Sequence, residues 1–119
     1  MKRKIAVALV AVGMPMAAHA ITGNEMLANC EAALKRPIPA NQMVQSGVCM
    51  GYVMGIGAGF TYAQIANPEK TAICMPEKGY TFGQGARVLT KYLNDHPERL
   101  NYDVSLLALD AFRIAFPCN

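Results

Sequence analysis

Charge is scarce in this 119-residue sequence and absent from its middle. Aspartate, glutamate, lysine and arginine make up 16% of the residues, and none of them occurs between Pro37 and Pro68. After residue 20, no run of like charge is longer than Lys35-Arg36. Nucleic-acid binding needs several clustered cations facing phosphates, and electrostatic attachment to a membrane needs a polybasic segment. The sequence therefore predicts neither kind of partner.

Residues that could carry catalysis or bind a metal are also few. The chain has no C-x-x-C pair of the kind that zinc sites use. The one histidine after residue 20, His96, precedes a proline, and its place at a predicted helix end is explanation enough. Ser46 and Ser105 lack a nucleophile motif, and the glycines of segment 55–59 follow no strand, as a phosphate-binding loop requires. By elimination we expect a binding or inhibitory protein with no catalytic residue, metal or cofactor.

The N-terminus has the pattern of a secretory signal peptide. Three cations lie within residues 1–4, an uncharged apolar run covers Ile5–Val12, and Ala18-His19-Ala20 ends the segment with a small-x-small pattern. These are the n-region, the h-region and the cleavage site of an exported protein. We therefore expect residues 1–20 to be removed between Ala20 and Ile21.

The remaining segment, residues 21–119, is predicted to be a single domain. It holds eight basic and eight acidic residues, so the formal charge of +3 comes from the leader. A lipoprotein would need a cysteine directly after the cleavage site, and here Ile21 follows. We expect a soluble protein in the periplasm of a Gram-negative bacterium, with no membrane attachment after cleavage.

Four cysteines, at positions 30, 49, 74 and 118, predict two disulfides, because an even number in a short exported chain is typical of a disulfide framework. If the first two helices form a hairpin, Cys30 lies close to Cys49. If the last two do the same, Cys118 lies near Cys74. This geometry favours Cys30–Cys49 with Cys74–Cys118; the alternative is Cys49–Cys74 with Cys30–Cys118, which would tie the chain ends together.

Apolar residues recur at helical spacing, and no segment alternates as a strand would. The fold class predicted is all-α, a small disulfide-stapled bundle of about four helices. Their expected bounds are about Asn24–Lys35, Asn41 to before Asn67, Phe82–Asp95, and from after Asn101 to Pro117.

Helix starts and burial can also be predicted. Thr22 with Glu25, and Thr81 with Gln84, have the spacing of N-terminal capping boxes. Asn101 is the expected N-cap of the fourth helix. We expect this last helix to be mostly buried, with Leu109, Phe112 and Phe116 widening its inner face, which includes Ala115.

The predicted second helix carries a stripe of four glycines. Gly47, Gly51, Gly55 and Gly59 are four residues apart and therefore lie along one side of the helix. Each glycine costs about 1 kcal/mol in a helix, so we expect another helix to approach very closely, either inside the monomer or along a homodimer seam. Residues 47–66 are uncharged and long enough to span a bilayer, but a buried central helix is the preferred interpretation.

Five short motifs occur in a fixed order after the leader. They are Gly23-Asn24 one helix before the first cysteine, GVCMGYVMG at 47–55, CMP at 74–76, KYLNDHP at 91–97 and AFPC at 115–118. With these motifs the chain resembles the Rap/Tai family of periplasmic immunity proteins. Members of that family protect a bacterium from peptidoglycan-cleaving amidases delivered by type VI secretion. The resemblance implies a signal peptide, a small helical fold, disulfides and often a dimer.

If the resemblance holds, the expected mechanism is occlusion of the cleft of an amidase effector. The polar loops between the helices are the candidate contact surfaces, through Glu77, Lys78, Glu98 and Arg99. Relatives often carry a polar or acidic residue soon after the G-Y-x-x-G element, whereas residues 56–59 here are all apolar. Two other functions stay open: a periplasmic chaperone or stress-type binding protein, and an interaction subunit of an envelope complex that uses the glycine stripe.

Overall fold

The computed structural model describes residues 19–119, so the predicted signal peptide lies outside the described residues except for its last two positions. Four helices follow: α1 (Gly23–Leu34), α2 (Met43–Ala66), α3 (Phe82–Asp95) and α4 (Val104–Ala115). Short 3-10 turns precede α2 at Ala40–Gln42 and follow α3 at Pro97–Arg99. Within residues 19–119, β-pairing is limited to two isolated bridges, Thr22 with Asp103 and Ile73 with Pro117. The prediction of an all-α, four-helix fold is confirmed.

Local side-chain caps explain where α1 and α3 begin. At α1, the Thr22 hydroxyl accepts from the Glu25 amide at 3.3 Å, and the Glu25 carboxylate accepts from the Thr22 amide at 2.8 Å. The hydrogen bonds that the Thr22 amide and hydroxyl donate to the Glu25 carboxylate hold the pKa of Glu25 below its usual value. At α3, Thr81 accepts from the Gln84 amide at 3.1 Å, which is one half of the predicted capping box.

The N-cap of α4 is Asp103, and the prediction of Asn101 is wrong by two residues. The Asp103 carboxylate accepts from the Ser105 amide at 2.7 Å. The Asn101 side chain instead accepts from the side-chain amide of Asn24 at 3.0 Å, which ties the loop before α4 to the start of α1. Asn101 is a good N-cap residue by local propensity, but its side chain is used in this long-range hydrogen bond to Asn24.

The core lies where α1, α3 and α4 meet one side of α2. Its largest fully buried side chains are Phe112, Met26, Leu89, Leu93, Leu107 and Val53. From α2 it receives Cys49 and Val53, and from the loop after α2 it receives Ile73 and Met75. The core is therefore built mainly by three helices, with α2 contributing one narrow side.

Helix α2 is not a buried central helix, and that expectation is wrong. Of its 24 residues, four are buried: Ser46, Cys49, Val53 and Gly57. Ala40–Ala66, which is α2 with its preceding turn, is long and apolar enough to cross a membrane by length and composition, yet 22% of its most apolar window is buried. A chain of this size has too few other helices to enclose a helix that is apolar all round.

The glycine stripe does not pack inside the monomer either. A Cβ atom added at Gly47, Gly51, Gly55 or Gly59 would meet nothing within 4 Å. The interpretation of the stripe as close packing within the monomer is therefore wrong, and the homodimer seam is the interpretation that stays open. The glycine that α2 needs for packing is Gly57, where an added Cβ would overlap the ring and hydroxyl of Tyr80.

Helix α4 is half-buried, which corrects the expectation of a mostly buried helix. Its inner face is buried, at Val104, Leu107, Ala108, Ala111 and Phe112. Its outer face exposes Leu106, Leu109 and Ile114, and Ala115 is exposed at its end. No further helix covers this face within residues 19–119.

Two disulfides staple the bundle in the pairs that the hairpin geometry favours. Cys30–Cys49 joins α1 to α2, with 5.0 Å between the Cα atoms. Cys74–Cys118 joins the loop after α2 to the C-terminus, also with 5.0 Å between the Cα atoms. The first closes α1 onto α2, and the second holds the α2–α3 connection against the end of α4.

Candidate partner-binding surfaces

The α2–α3 loop, residues 67–81, is held against the bundle at three places. The Cys74 amide donates to the Phe116 carbonyl at 2.9 Å, next to the disulfide to Cys118. The Met75 amide donates to the Gln64 side chain at 2.8 Å. At the end of the loop, the Tyr80 hydroxyl donates to the carbonyl of Val53 on α2. These anchors leave the tip at residues 76–79 as the part that projects.

The tip presents the first two candidate contact residues, Glu77 and Lys78, and both are exposed. It is a tight turn, because the Gly79 amide donates to the Pro76 carbonyl at 2.9 Å. Gly79 has a φ of +73°, in the left-handed region that favours glycine. The turn therefore offers one acidic and one basic side chain from a backbone that is fixed on both sides.

The α3–α4 loop, residues 96–103, is fixed by backbone hydrogen bonds to α1. The amides of Gly23 and Asn24, in the first turn of α1, donate to the carbonyls of Tyr102 at 3.0 Å and Leu100 at 2.9 Å. The loop thus satisfies amides that a helix start leaves without intrahelical partners. His96 begins the loop as the C-cap of α3, and its Nδ1 donates to the Tyr92 carbonyl at 2.8 Å.

Arg99 is engaged inside the protein. Its guanidinium donates to the Asp110 carboxylate at 2.9 Å and lies 5.8 Å from the ring centres of both Tyr92 and Tyr102. Arg113 donates to the other Asp110 oxygen at 3.1 Å. Arg99 also contacts the Tyr92 hydroxyl. These contacts fix the α3–α4 loop to α4. The Arg99 side chain is 28% exposed, so only a small part of it is accessible to a partner.

The same contacts determine the electrostatics of this cluster. The hydrogen bond from Arg99 holds the pKa of Asp110 below its usual value, and the pKa of Arg99 is raised by the same bond. Burial raises the pKa of Tyr92, against the opposing effect of the Arg99 charge. Asp110 is therefore ionised and paired at neutral pH. Sequence reasoning missed Asp110, because nothing in the spacing of residues 99 and 110 indicates that they meet.

The two pairs of candidate contact residues are not brought into one cluster. Glu77 and Lys78 precede α3, whereas Glu98 and Arg99 follow it. Helix α3 has 14 residues, which at 1.5 Å per residue separates its ends by about 21 Å. They therefore form two surfaces, which one large partner could span and a small ligand could not. Of the four, Glu77, Lys78 and Glu98 are exposed.

A shallow groove between α3 and α4 adds an apolar feature beside the α3–α4 loop. It has a volume of about 230 Å³, and its apolar lining includes Val88, Tyr92 and Ile114. The Lys91–Asp95 ion pair, at 2.6 Å, and His96 also line it. A groove of this kind needs two helices side by side, so no motif in the sequence could indicate it.

The exposed polar side chains of these surfaces are suited to contact with a partner. All four cysteines are in disulfides. In the described part of the chain, no group of three or more His, Cys, Asp or Glu side chains could hold a metal ion. Rigid polar loops on a disulfide-stapled helical bundle are features of a small binding protein.

Comparison with known families agrees with this class and narrows it. The chain matches the family model of the Rap1a immunity proteins over residues 22–118, and it therefore belongs to that family. Membership implies immunity to a type VI secretion effector, and the immunity proteins of this family are of the secreted, periplasmic type. No curated protein and no solved structure matches the chain.

Proposed function

We propose that this protein is a periplasmic, non-enzymatic immunity protein that binds a peptidoglycan amidase delivered by type VI secretion and occludes its cleft. The observation that carries the proposal is the family match, which spans both disulfides and all four helices. The leader pattern of residues 1–20 supports export and cleavage after Ala20, leaving residues 21–119 as one domain. Disulfides persist in oxidising compartments such as the periplasm.

The α2–α3 tip is the part best suited to enter a cleft. Its backbone is anchored through Cys74, Met75 and Tyr80 on the two sides of the projecting turn. A loop that is already ordered loses little conformational freedom on binding, so more of the contact energy appears as affinity. Glu77 and Lys78 would then meet polar groups at the mouth of the cleft, and Glu98 would contact a second region of the same effector.

Co-purification with the product of the adjacent gene tests the proposal most directly. If that product is a secreted Cys-His amidase, the exported protein should bind it and stop its cleavage of peptidoglycan. Alanine at Glu77 and Lys78 together should weaken inhibition, as should alanine at Glu98. Glu31→Ala, an exposed change on α1, is the matched control. If alanine at Glu77, Lys78, Glu98 and Arg99 leaves binding intact, the two loops are not the contact surface.

The oligomeric state is part of the proposal. We infer a homodimer as the working form, as the resemblance to the Rap/Tai family implies. Dimerisation through the outer side of α2 would not change which loops contact the effector, because the tip of the α2–α3 loop is a different surface. An interaction with another envelope protein through α2 is the competing use of that side.

A chaperone or stress-type function is the second candidate, and the exposed apolar side chains on α2 and α4 are the observation that favours it. Such a protein would bind unfolded chains through these faces. Its signature would be a rise in hydrophobic-dye binding on acidification, together with suppression of the aggregation of a denatured client. Dye binding that stays level from neutral pH to about pH 4, near the carboxylate pKa range, would count against it.

A further inference from the structure

A second groove lies beside the projecting tip, between the last turns of α2 and the α2–α3 loop. It has a volume of about 440 Å³, which falls within the range of pockets that hold small ligands. The space is enough for a short piece of extended peptide and too small for a helix, which is about 10 Å wide. We call it the tip groove; its lining includes Gln64, Ile65, Pro68, Met75, Pro76 and Glu77.

The two walls of the tip groove are joined to each other. The Met75 amide, in the loop, donates to the side-chain oxygen of Gln64, on α2, at 2.8 Å. Met75 is also 5% exposed and belongs to the core, and the preceding residue, Cys74, is fixed by its disulfide to Cys118. The groove is therefore formed before a partner arrives, and binding there costs little conformational ordering.

Most of the named lining is apolar. Ile65 is 75% exposed on the α2 side, and Pro68, Met75 and Pro76 add further apolar surface. An apolar side chain placed here would remove its own surface and that of Ile65 from water, which favours binding. The groove thus suits a partner that brings at least one apolar side chain.

Two polar groups of the lining have unused bonding capacity. The bond from the Met75 amide fixes the orientation of the Gln64 carboxamide, because a backbone N–H needs an oxygen acceptor. The NH2 group of Gln64 then remains as a donor with no acceptor among residues 19–119. The Glu77 carboxylate, which is exposed, forms no ion pair with another residue in the same range.

The charge of the groove selects the sign of its occupant. No Asp, Glu, Lys or Arg occurs from Pro37 to Pro68, so the α2 wall is uncharged. Glu77 supplies the charge of the lining, and Lys78 lies outside it. The groove therefore attracts a cation and repels phosphates and carboxylates, which disfavours anionic lipids and nucleotides as occupants.

We propose that the tip groove holds a segment of the amidase effector in which a lysine or arginine stands beside an apolar side chain. The cation pairs with Glu77, the apolar side chain contacts Ile65 and Met75, and the Gln64 NH2 group donates to a backbone carbonyl of the segment. Because the groove adjoins the tip, this segment lies at the rim of the cleft that the tip enters. The identity of the partner rests on the immunity function proposed above; the chemistry of the occupant rests on the groove itself.

The groove is tested first with peptides, without any effector. An acetylated and amidated tetrapeptide, Gly-Lys-Leu-Gly, is titrated into the nitrogen-labelled, processed protein and followed by NMR. Saturable shifts of the Met75 amide and of the Gln64 side-chain NH2 group are expected. Glu77→Gln should weaken binding of this peptide about threefold, as loss of an exposed ion pair does. Ile65→Ala should weaken it about fivefold through lost apolar contact.

Two matched comparisons isolate the charge and the place. The peptide Gly-Gln-Leu-Gly lacks the cation, so it should bind the wild type and Glu77→Gln equally well. Glu31→Gln removes an exposed acid on α1 and should bind Gly-Lys-Leu-Gly as the wild type does. The proposal is overturned if Gly-Lys-Leu-Gly gives no saturable shift at Met75 and Gln64, or if Gly-Glu-Leu-Gly binds as tightly.

The amidase effector then decides whether the groove is used in the complex. Ile65→Ala is the informative variant, because Ile65 lies on α2 and a contact made by the tip alone would not be affected by it. Effector binding should weaken about fivefold. Val44→Ala is its control, since Val44 is 79% exposed at the other end of α2, away from the groove, and should leave binding unchanged.

The two proposals fail in different ways. An effector that binds Ile65→Ala as tightly as the wild type overturns the role of the groove and leaves the immunity function intact. An amidase that the wild type neither binds nor inhibits overturns the immunity function, and the peptide titration still decides what the groove accepts.

Discussion

Tyr80 and Val53 are linked by a hydrogen bond across 27 residues of sequence, from the phenol hydroxyl to the backbone carbonyl. The ring of Tyr80 fits only because the neighbouring positions 57 and 85 are glycines, where a Cβ would overlap it. Burial raises the pKa of this phenol, so it remains a neutral donor. One side chain thus fastens the end of the α2–α3 loop to the middle of α2.

Gly57→Ala should destabilise the protein by about 2 kcal/mol, because the new methyl group displaces Tyr80 and breaks its hydrogen bond. Gly59→Ala, two residues away in open space, should stabilise the monomer by about 0.5–1 kcal/mol through helix propensity. Urea denaturation of dilute protein measures both. Equal effects of the two substitutions would mean that Tyr80 does not occupy the space beside Gly57.

Tyr80→Phe should lower the free energy of unfolding by about 1 kcal/mol, the typical net contribution of one hydrogen bond. The ring remains, so packing against Gly57 and Gly85 is kept. Tyr62→Phe is the control, because the Tyr62 side chain is exposed and should contribute close to nothing. The two variants are compared by denaturant midpoint at equal concentration; a Tyr80→Phe protein as stable as the wild type would contradict the assignment.

The pairing of Asp110 with Arg99 predicts a loss of stability in acid. The pKa of Asp110 is lowered in the folded protein, so the pair stabilises the fold above the unfolded pKa of about 3.9. That contribution is lost as the pH falls through the lowered, folded pKa. Asp110→Asn should therefore be less stable than the wild type at pH 7, and the difference should shrink below about pH 4.

Asp95→Asn serves as the comparison for this pH series. Asp95 pairs with Lys91 on the exposed side of α3, and exposed pairs of this kind contribute about 0.5 kcal/mol or less. Its stability should therefore differ little from that of the wild type at any pH. An Asp110→Asn protein that follows the Asp95→Asn protein across the series would show that the Arg99 cluster adds nothing to stability.

Removing the Cys74–Cys118 disulfide, with serine at both positions, should cost about 4 kcal/mol, and removing Cys30–Cys49 about 3 kcal/mol. The loop-entropy model gives this order because the first bond spans 44 residues and the second spans 19. Chemical denaturation measures both. The two variants should also differ in function. Loss of Cys74–Cys118 frees the α2–α3 loop and should weaken inhibition of the effector, whereas Cys30–Cys49 does not hold that loop.

Most helix ends could be predicted from the sequence because they depend on neighbours along the chain, whereas the disulfide pairs could only be ranked. The Thr22–Glu25 box and the stop at His96-Pro97 each act within a few residues. The hairpin arrangement brings Cys30 near Cys49 without knowledge of the rest of the fold. The N-cap of α4 was misplaced for the opposite reason, since Asn101 has a partner on α1, 77 residues away in sequence.

The contact surfaces were only partly predictable. Polarity indicated which loops are exposed, and Glu77 and Lys78 are exposed at the tip. Polarity could not indicate that Arg99 is held by Asp110, nor that the two loops lie at opposite ends of α3. Both facts depend on how α3 and α4 pack side by side.

By itself, the sequence determined that this protein is an all-α bundle and predicted its export, because leader pattern, capping residues and apolar spacing are all local properties. Only the tertiary structure decided which side of α2 faces inward. Residues 43–66 are uncharged and nearly apolar all round, so no polar side distinguishes the core from solvent. Cys49, Val53 and Gly57 are inside because Cys30 and Tyr80 meet them there, and the four-glycine stripe is left outside as a consequence.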